Sequence, residues 1–459
     1  RGALEKLGLT RFPCPSVQIV GTNGKGSTAT FLHSLALAHG FRAGLYTSPH
    51  FLSPTERIRM MRRSLPESAW PNLANRALEA EPGLTYFELL TVMAALAFSD
   101  ADPDLLVFEA GLGGRFDATS ALPLDMTCFV PIGLDHMRVL GPDVASIAAD
   151  KADAMHEGMF GAVSAPQEDD AWRALELRAG ELELPLFETT GTRKGHRLPP
   201  DLAELVSLAD TAPLGLYGPY QRVNAKAALA AWLLICRREG WKTDEKRIRK
   251  GLAEAFIPGR LHYVDARGGY PPFLLDGAHN VHGMKALRSA LLPGGICEKG
   301  LAPSAVIFSC LEDKEPDELV PVLASTLEEI APGVPVYIPA IADNPRAAQP
   351  ETLARIAGSG TPVGIFGASI MGTWMASRLE GLVQCFVDEN TALQGGRHLG
   401  LPVVPPDKAP AGLPLLCAMP EHMARKLLRR LGEVCPGVLI APPFSSTPLG
   451  GSEGTSHED

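Results

Sequence analysis

Apolar runs rich in β-forming residues alternate with stretches of helical periodicity through the first half of the chain. Runs at 17–20, 43–46, 104–108 and 126–132 read as strands. Between and after them, 27–39, 86–98, 143–156 and 223–238 carry apolar residues at helical spacing; in 27–39, Phe31, Leu32, Leu35 and Ala38 share one face. This alternation predicts an α/β fold with a mainly parallel sheet. Residues 168–215 are more polar, include Pro199-Pro200 and Arg193-Lys194-Gly195, and read as loops and short pieces. Pro258-Gly259 breaks the pattern before a strand-like run at 261–265, which places a domain boundary near 257–260. A second, smaller α/β unit follows, with a strand at 273–276, a helix from about 281, a strand at 305–310 and a helix from 316. A third begins at Val363: a strand at 363–366, a glycine-containing turn, a helix to 379 and a strand at 382–387 ending in Asp388. The tail from Ser445 is rich in Ser, Gly and Thr and is expected to be disordered.

Composition narrows the class. At 459 residues the chain exceeds one ordinary core, and 46% hydrophobic with 20% charged residues describes a folded globular protein. No apolar run approaches the roughly 18 residues of a membrane span. A net charge of −10 argues against nucleic acid as the partner. Eight cysteines without a C-x-x-C pair read as reduced thiols of a cytoplasmic protein, expected to be a monomer. The chain opens at Arg1 rather than methionine, so residues upstream are expected to be missing.

Candidate chemistry gathers at predicted strand ends. Gly21-Thr22-Asn23-Gly24-Lys25-Gly26-Ser27 lies between a strand and a helix, where backbone N–H groups form a nest for a polyphosphate. Lys25 supplies a charge for the outer phosphates, and Ser27 or Thr28 a hydroxyl for Mg²⁺. Gly26 intervenes between Lys25 and Ser27, so the spacing departs from G-x-x-x-x-G-K-[ST]. Glu109 ends a strand and precedes the glycine-rich 111–117, as a Mg²⁺ ligand under a closing loop would; a cap for the next element is the plainer reading. His136 ends a second such run, which Pro131 is expected to shorten. Lys151 falls on the apolar face formed by Val144, Ile147, Ala148 and Met155. Two readings stay open there: an ammonium that snorkels to the surface, or an amine converted by CO₂ to a carbamate beside the metal. Ser48 in Thr47-Ser48-Pro49-His50 offers a hydroxyl, Asp276 to Asn280 form a turn and helix cap, and Arg260 lies within reach of a phosphate or a surface acid.

These residues resemble one family, folylpolyglutamate synthase/dihydrofolate synthase, a branch of the Mur-ligase superfamily. The resemblance covers roughly 1–358 and rests on GTNGKGST (21–28), LYTSPH (45–50), ERIR (56–59), TYFE (85–88), EAGLGGRFDAT (109–119), GLDH (133–136), DKA (150–152), QRVNA (221–225), PGRL (258–261), DGAHN (276–280) and EDK (312–314). It implies ATP-dependent ligation of L-glutamate to dihydropteroate or folate through an acyl phosphate. It further implies Mg²⁺, as two ions, at Ser27, Ser48, Glu109 and His136, and a carbamylated Lys151. Gly24, Lys25, Gly26, Ser27, Thr28, Asn224, Arg260 and Asp276 match ATP contacts; Lys25, Lys151 and His279 match catalytic positions. Thr85, Phe87, Arg115, Phe116, Asp117 and Ala118 match the pterin-binding region. The implied domains are a P-loop Mur-ligase-type central domain (1–258), a glutamate-ligase domain (259–360), a Rossmann-like module (361–445) and a tail (446–459).

The chain departs from the family in three places. Tyr220 replaces the histidine usual before Gln221, only twenty residues precede the loop, and the family's ending is not recognisable after Pro345-Arg346-Ala347. Residues 361–445 instead resemble a small Rossmann-like module appended to some C-methyltransferases and sugar-modifying enzymes, with Gly367-x-Ser369-x-x-Gly372 and Asp388 close to a dinucleotide fingerprint. A module without bound dinucleotide, or one completing the second domain's sheet, are both compatible with that pattern. Other readings of the whole chain are a different Mur-type amino-acid ligase, a P-loop kinase or GTPase-like switch, and a non-catalytic nucleotide-binding fusion.

Overall fold

Ser16–Val20 is buried along its whole length, and the main sheet forms around it. The structure, a computed structural model, describes residues 1–51, 53–266, 271–296, 300, 302–308, 316–337, 363–366, 383–387, 394–398, 401–405, 408, 410, 415–417 and 440–441. The strands of the main sheet are β1 (Ser16–Val20), β2 (Ala43–Tyr46), β3 (Ile58–Met60), β4 (Arg63–Ser64), β5 (Leu105–Glu109), β6 (Met126–Phe129), β7 (Gly161–Ser164) and β8 (Leu186–Glu188). Accompanying them are helices α1 (Gly2–Lys6), α2 (Lys25–Ala38), α3 (Trp70–Ala80), α4 (Tyr86–Ser99), α5 (Met137–Leu140), α6 (Val144–Ala152), α7 (Asp169–Glu181), α8 (Pro200–Thr211), α9 (Gln221–Glu239) and α10 (Glu245–Ala253). Strand order is β4-β3-β2-β5-β1-β6-β7-β8, parallel from β2 to β8, with β3 and β4 antiparallel at one edge.

Strand residues alternate between two cores, as a sheet covered on both faces requires. Tyr46, Phe108 and Phe129 pack on one face with Phe98, Ile147 and Trp172. Val17, Ile19, Leu45 and Val107 pack on the other with Phe31, Leu35 and Trp232. Helix α2 is buried from Gly26 to Ala36 rather than along one face, because α9 and α10 cover the side turned away from the sheet.

The run 126–132 ends as a strand at Phe129, shortened as expected from Pro131, and the Pro131 carbonyl accepts the Thr22 N–H (3.0 Å). Other expectations needed correction. The helix at 143–156 ends at Ala152; Met155 stays in the core from beyond its end. Residues 168–215 hold two full helices. Pro200 opens α8 at its first turn, where no N–H is needed, and Leu202, Val206 and Ala209 are its buried face.

Two compact units divide the chain: 1–302 with 312–332, and 303–311 with 333–459. The expected boundary near 257–260 lies inside the first. That unit also holds the antiparallel pair β9 (His262–Val264) and β10 (Phe273–Leu275), followed by α11 (Val281–Leu291) and α12 (Pro316–Ile330). In the second unit, β11 (Val306–Ile307) pairs with β12 (Val336–Tyr337). Its larger sheet joins β13 (Val363–Phe366), β14 (Val383–Val387), β15 (Arg397–His398), β16 (Leu401–Val404), β17 (Leu415–Cys417) and β18 (Ile440–Ala441) in the order β15-β16-β14-β13-β17-β18. All pairs are parallel except β15 with β16, so the first strand sits mid-sheet, as in doubly wound folds. Gly367, Ser369, Gly372, Asp388, the helix to 379, Pro345 to Ala347 and the tail 446–459 lie outside the described residues.

Trp232 is fully buried and ringed by His39, Phe41 and Trp241. Replacing it with alanine should lower the stability of the first unit by about 3–5 kcal/mol. Urea unfolding followed by far-UV circular dichroism measures this, and a loss under about 1 kcal/mol would mean the site collapses around the cavity.

Candidate active site

The turn after β1 is held by backbone conformations and close approaches that only glycine satisfies. Gly21 (φ +149°) and Gly24 (φ +99°) both take positive φ. A Cβ on Gly21 would lie 2.3 Å from the Val130 side chain, and one on Gly24 would lie 2.2 Å from Asn224 Oδ1. Lys25 Nζ folds back to donate to Gly21 O (3.1 Å) and Thr22 O (3.0 Å). Burial lowers its pKa, opposed by Glu109, Asp135 and Asp117. Behind the turn, Gln221 Nε2 donates to Ser27 Oγ (3.2 Å), Asn224 Nδ2 to Gln221 Oε1 (2.8 Å), and Thr28 Oγ1 to Asn224 O (3.4 Å). The start of α9 thereby fixes the start of α2, whose first N–H groups and dipole favour an anion.

Glu109 ends β5 beside Ile19 of β1. Its Oε2 accepts the Ser48 N–H (2.9 Å), and Oε1 lies 3.3 Å from where a Gly26 Cβ would stand. The carboxylate therefore rests on the first turn of α2. Burial raises its pKa, with Lys25 the strongest opposing charge. His136, beyond β6, takes a left-handed conformation at the start of α5, and its Nε2 lies 3.7 Å from Asp135 Oδ1. Among the described residues no three His, Cys, Asp or Glu side chains form a metal cluster. The Glu109 carboxylate and the Ser27 and Ser48 hydroxyls are hard oxygen donors of the kind Mg²⁺ takes beside water and phosphate oxygens, whereas the His136 imidazole is a softer donor.

Beside Ser48 opens a cavity of ≈ 770 Å³. All six residues expected at the pterin, Thr85, Phe87, Arg115, Phe116, Asp117 and Ala118, line it. Arg57, Glu88 and Asp150 line it too. Phe116 is 89% exposed at one wall. The Asp117 carboxylate is occupied by its own loop: Oδ2 accepts from the Gly111 and Leu112 N–H groups (2.8 Å each), Oδ1 from Thr119 N (2.9 Å) and Thr119 Oγ1 (2.5 Å). Arg115 is paired with Asp153, and Asp150 Oδ1 accepts the Gly114 N–H (2.9 Å). A Cβ on Gly114 would meet Lys151 O at 2.6 Å, so the loop lies directly on the α6 backbone. Lys151 is buried; desolvation first, and then Lys25, lowers its pKa to about 7.

Residues after 257 close on the same edge. Asp276 accepts from the Leu261 and Ala278 N–H groups (2.9 Å each), and burial raises its pKa. A Cβ on Gly277 would lie 2.5 Å from Arg260 Nη1. Asn280 caps α11 through the Gly283 N–H (2.7 Å) and donates Nδ2 to Asn23 Oδ1 (3.2 Å) and Asp135 Oδ2 (3.1 Å). Asn23 Nδ2 donates to His282 Nδ1 (2.8 Å). His279 is exposed, its Nδ1 donating to Gly277 O (2.8 Å).

No family model matches the chain. The dihydrofolate synthase/folylpolyglutamate synthase of Escherichia coli is 33% identical over 365 residues, covering 77% of this chain and 79% of that protein. The chain belongs to the folylpolyglutamate synthase/dihydrofolate synthase family. A folylpolyglutamate synthase of Arabidopsis thaliana is 32% identical over 351 residues, 66% of this chain, and the match spans only 59% of that relative. Among solved structures, Escherichia coli FolC in complex with DHPP and ADP aligns at TM-score 0.61 and 25% identity, covering 94% of this chain and 92% of that one.

Sequence reading of this family member passed over Arg57, which it held only as part of ERIR, and the Asn23–Asn280–Asp135 link. Arg57 closes the 3-10 turn Pro54–Arg57 just before β3, outside any strand alternation that could mark its side chain. The link joins residues far apart in sequence and left no local pattern.

Lys151 should titrate near pH 7 in the folded protein, against 10.5 when unfolded. Between those values the unfolded chain holds a proton the folded chain lacks, so folding stability should rise with pH across that window. Chemical unfolding in CO₂-free buffer at several pH values measures the slope. Lys151→Met should flatten it; an unchanged slope would mean that Lys151 titrates normally.

Proposed function

We propose that this chain is an ATP-dependent ligase that joins L-glutamate to dihydropteroate, to folate, or to both, through an acyl phosphate. The observation that carries the reading is the place of Ser48. It lines the acceptor-sized cavity while its N–H binds Glu109, whose carboxylate rests on the first turn of the glycine loop's helix. An acid in the cavity and a nucleotide on the loop would thus meet across one residue. The FolC neighbour, described as holding DHPP and ADP, supports the same pairing of ligands.

A carboxylate is a poor electrophile, so the γ-phosphoryl group must first move onto it. Lys25 and the amides of Gly24, Gly26 and Ser27 meet the charge that develops on the transferred group, while the Thr28 N–H is held by the Gly24 carbonyl (2.9 Å) behind them. In this reading Asn224, Arg260 and Asp276 hold the rest of the nucleotide. Ser27, Ser48, Glu109 and His136 would hold Mg²⁺, in one or two ions, which neutralises phosphate charge. Lys151, with a pKa of about 7, has a large neutral fraction at physiological pH. The neutral amine is the form that adds CO₂, releasing a proton and leaving an anionic carbamate. The glutamate amine then attacks the acyl carbon, the C–O bond to the phosphoryl group breaks and phosphate leaves; the ammonium proton passes to a base, for which His279, its Nδ1 donating to Gly277 O, is the candidate. Positioning of two substrates supplies most of the rate. We place the protein in the cytoplasm as a monomer; among the described residues no helix is long and apolar enough to cross a membrane.

ATP hydrolysis should require both glutamate and a pteroate or folate acceptor. Lys25→Ala should remove ligation, by about 10²–10³-fold or more, with circular dichroism unchanged. Unaltered turnover would remove the nucleotide assignment. Lys151→Ala should be inactive yet partly restored by short carboxylic acids. Neither rescue nor CO₂ dependence in the parent enzyme would remove the carbamate.

A further inference from the structure

The ionic groups around the acceptor cavity are committed to partners, with one exception. Glu88 accepts from the Thr85 N–H (2.8 Å) and hydroxyl (2.6 Å) at the cap of α4. Asp117 and Asp150 hold loop amides, and Arg115 is paired with Asp153. Arg57 is only 9% exposed and lines the cavity, yet forms no ion pair with a carboxylate among the described residues. Its Nε donates to His50 Nδ1 (2.9 Å), and its guanidinium carbon lies 5.7 Å from the centre of the Tyr86 ring. The side chain is thereby held in place, and among the described residues its two Nη nitrogens have no hydrogen-bond partner. A charge this buried is costly without a counter-ion, so a ligand that brings one is favoured.

We propose that Arg57 binds the non-reacting carboxylate of an acceptor that already carries a glutamyl group, and so favours folate-type acceptors over dihydropteroate. The inference rests on the acceptor reading above. A guanidinium fork takes both oxygens of a carboxylate, which lowers their nucleophilicity toward phosphorus. It therefore suits a spectator carboxylate, while the reacting one passes Ser48 toward Lys25. Dihydropteroate has a single carboxylate and uses it in the reaction, leaving Arg57 unpaired. A folate acceptor has a second.

The test compares acceptors at saturating ATP and glutamate. Arg57→Gln should raise KM for folate roughly 10–100-fold more than KM for dihydropteroate, with the loss in KM rather than kcat. Arg57→Lys should recover part of it. In the parent enzyme, folate amidated at its α-carboxylate should show the same loss, and Arg57→Gln should add no further loss with that amide. Equal losses for both acceptors, or parent enzyme that uses the α-amide as well as folate, would overturn the proposal. The amide comparison needs no variant and decides the matter should Arg57→Gln not fold. Parent enzyme that neither ligates nor binds either acceptor, by calorimetry, would instead overturn the acceptor reading and this inference with it.

Discussion

A buried carboxylate, Glu109, and a half-buried ammonium, Lys25, lie between β5 and the first turn of α2. Each is pushed toward its neutral form by desolvation, Glu109 upward and Lys25 downward, and each is the other's strongest compensating charge. Burying two ions this way costs several kcal/mol per ion before attraction returns some of it. The surrounding structure makes the pair tolerable: Ser48 N–H for Glu109, and the Gly21 and Thr22 carbonyls for Lys25. Under the proposed function Lys25 would meet a polyphosphate and Glu109 its cation, so an anionic ligand with a hard cation would offset both desolvated charges at once.

That constraint explains which parts of the molecule were legible beforehand. Glu109, Ser48 and His136 could be singled out as candidates because each ends or follows a strand, and ends of parallel strands meet at one edge of a doubly wound sheet. The glycine turn was found because its residue types tolerate so few alternatives; Gly24 has both a positive φ and Asn224 in the way of any side chain. Less legible was whatever depends on a neighbour distant in sequence. Helix α2 reads as one-sided from its own residues, since nothing in 27–39 says that α9 and α10 will cover its other side. The polar stretch 168–215 reads as loop because polarity there reflects exposure of α7 and α8, not absence of helix.

Asp117 and Arg57 show why residue identity and residue role separate. Both line the cavity, and both carry charge. Asp117 lies in a glycine-rich loop, where its oxygens are the nearest acceptors for N–H groups that have no ladder partner, so the loop consumes it. Arg57 closes the 3-10 turn Pro54–Arg57, where its own carbonyl accepts the Thr47 N–H (2.9 Å), and among the described residues its guanidinium meets His50 and the Tyr86 ring. A charged residue in irregular backbone tends to be used by that backbone. One whose neighbouring backbone groups already have partners keeps its hydrogen-bonding capacity for a ligand.

The same logic reaches the region after the glycine loop's domain. Asn280 does three things with one amide: its oxygen caps α11, and its nitrogen donates to Asn23 and Asp135. Its role as a cap orients the side chain, and that orientation aims Nδ2 at the turn after β1 and the end of β6. Geometry at the helix start is therefore coupled to geometry at the phosphate loop through a side chain only 9% exposed. Moving the start of α11 away from the turn would break the hydrogen bonds from Asn280 to Asn23 and Asp135, while the cap on Gly283 N–H travels with the helix.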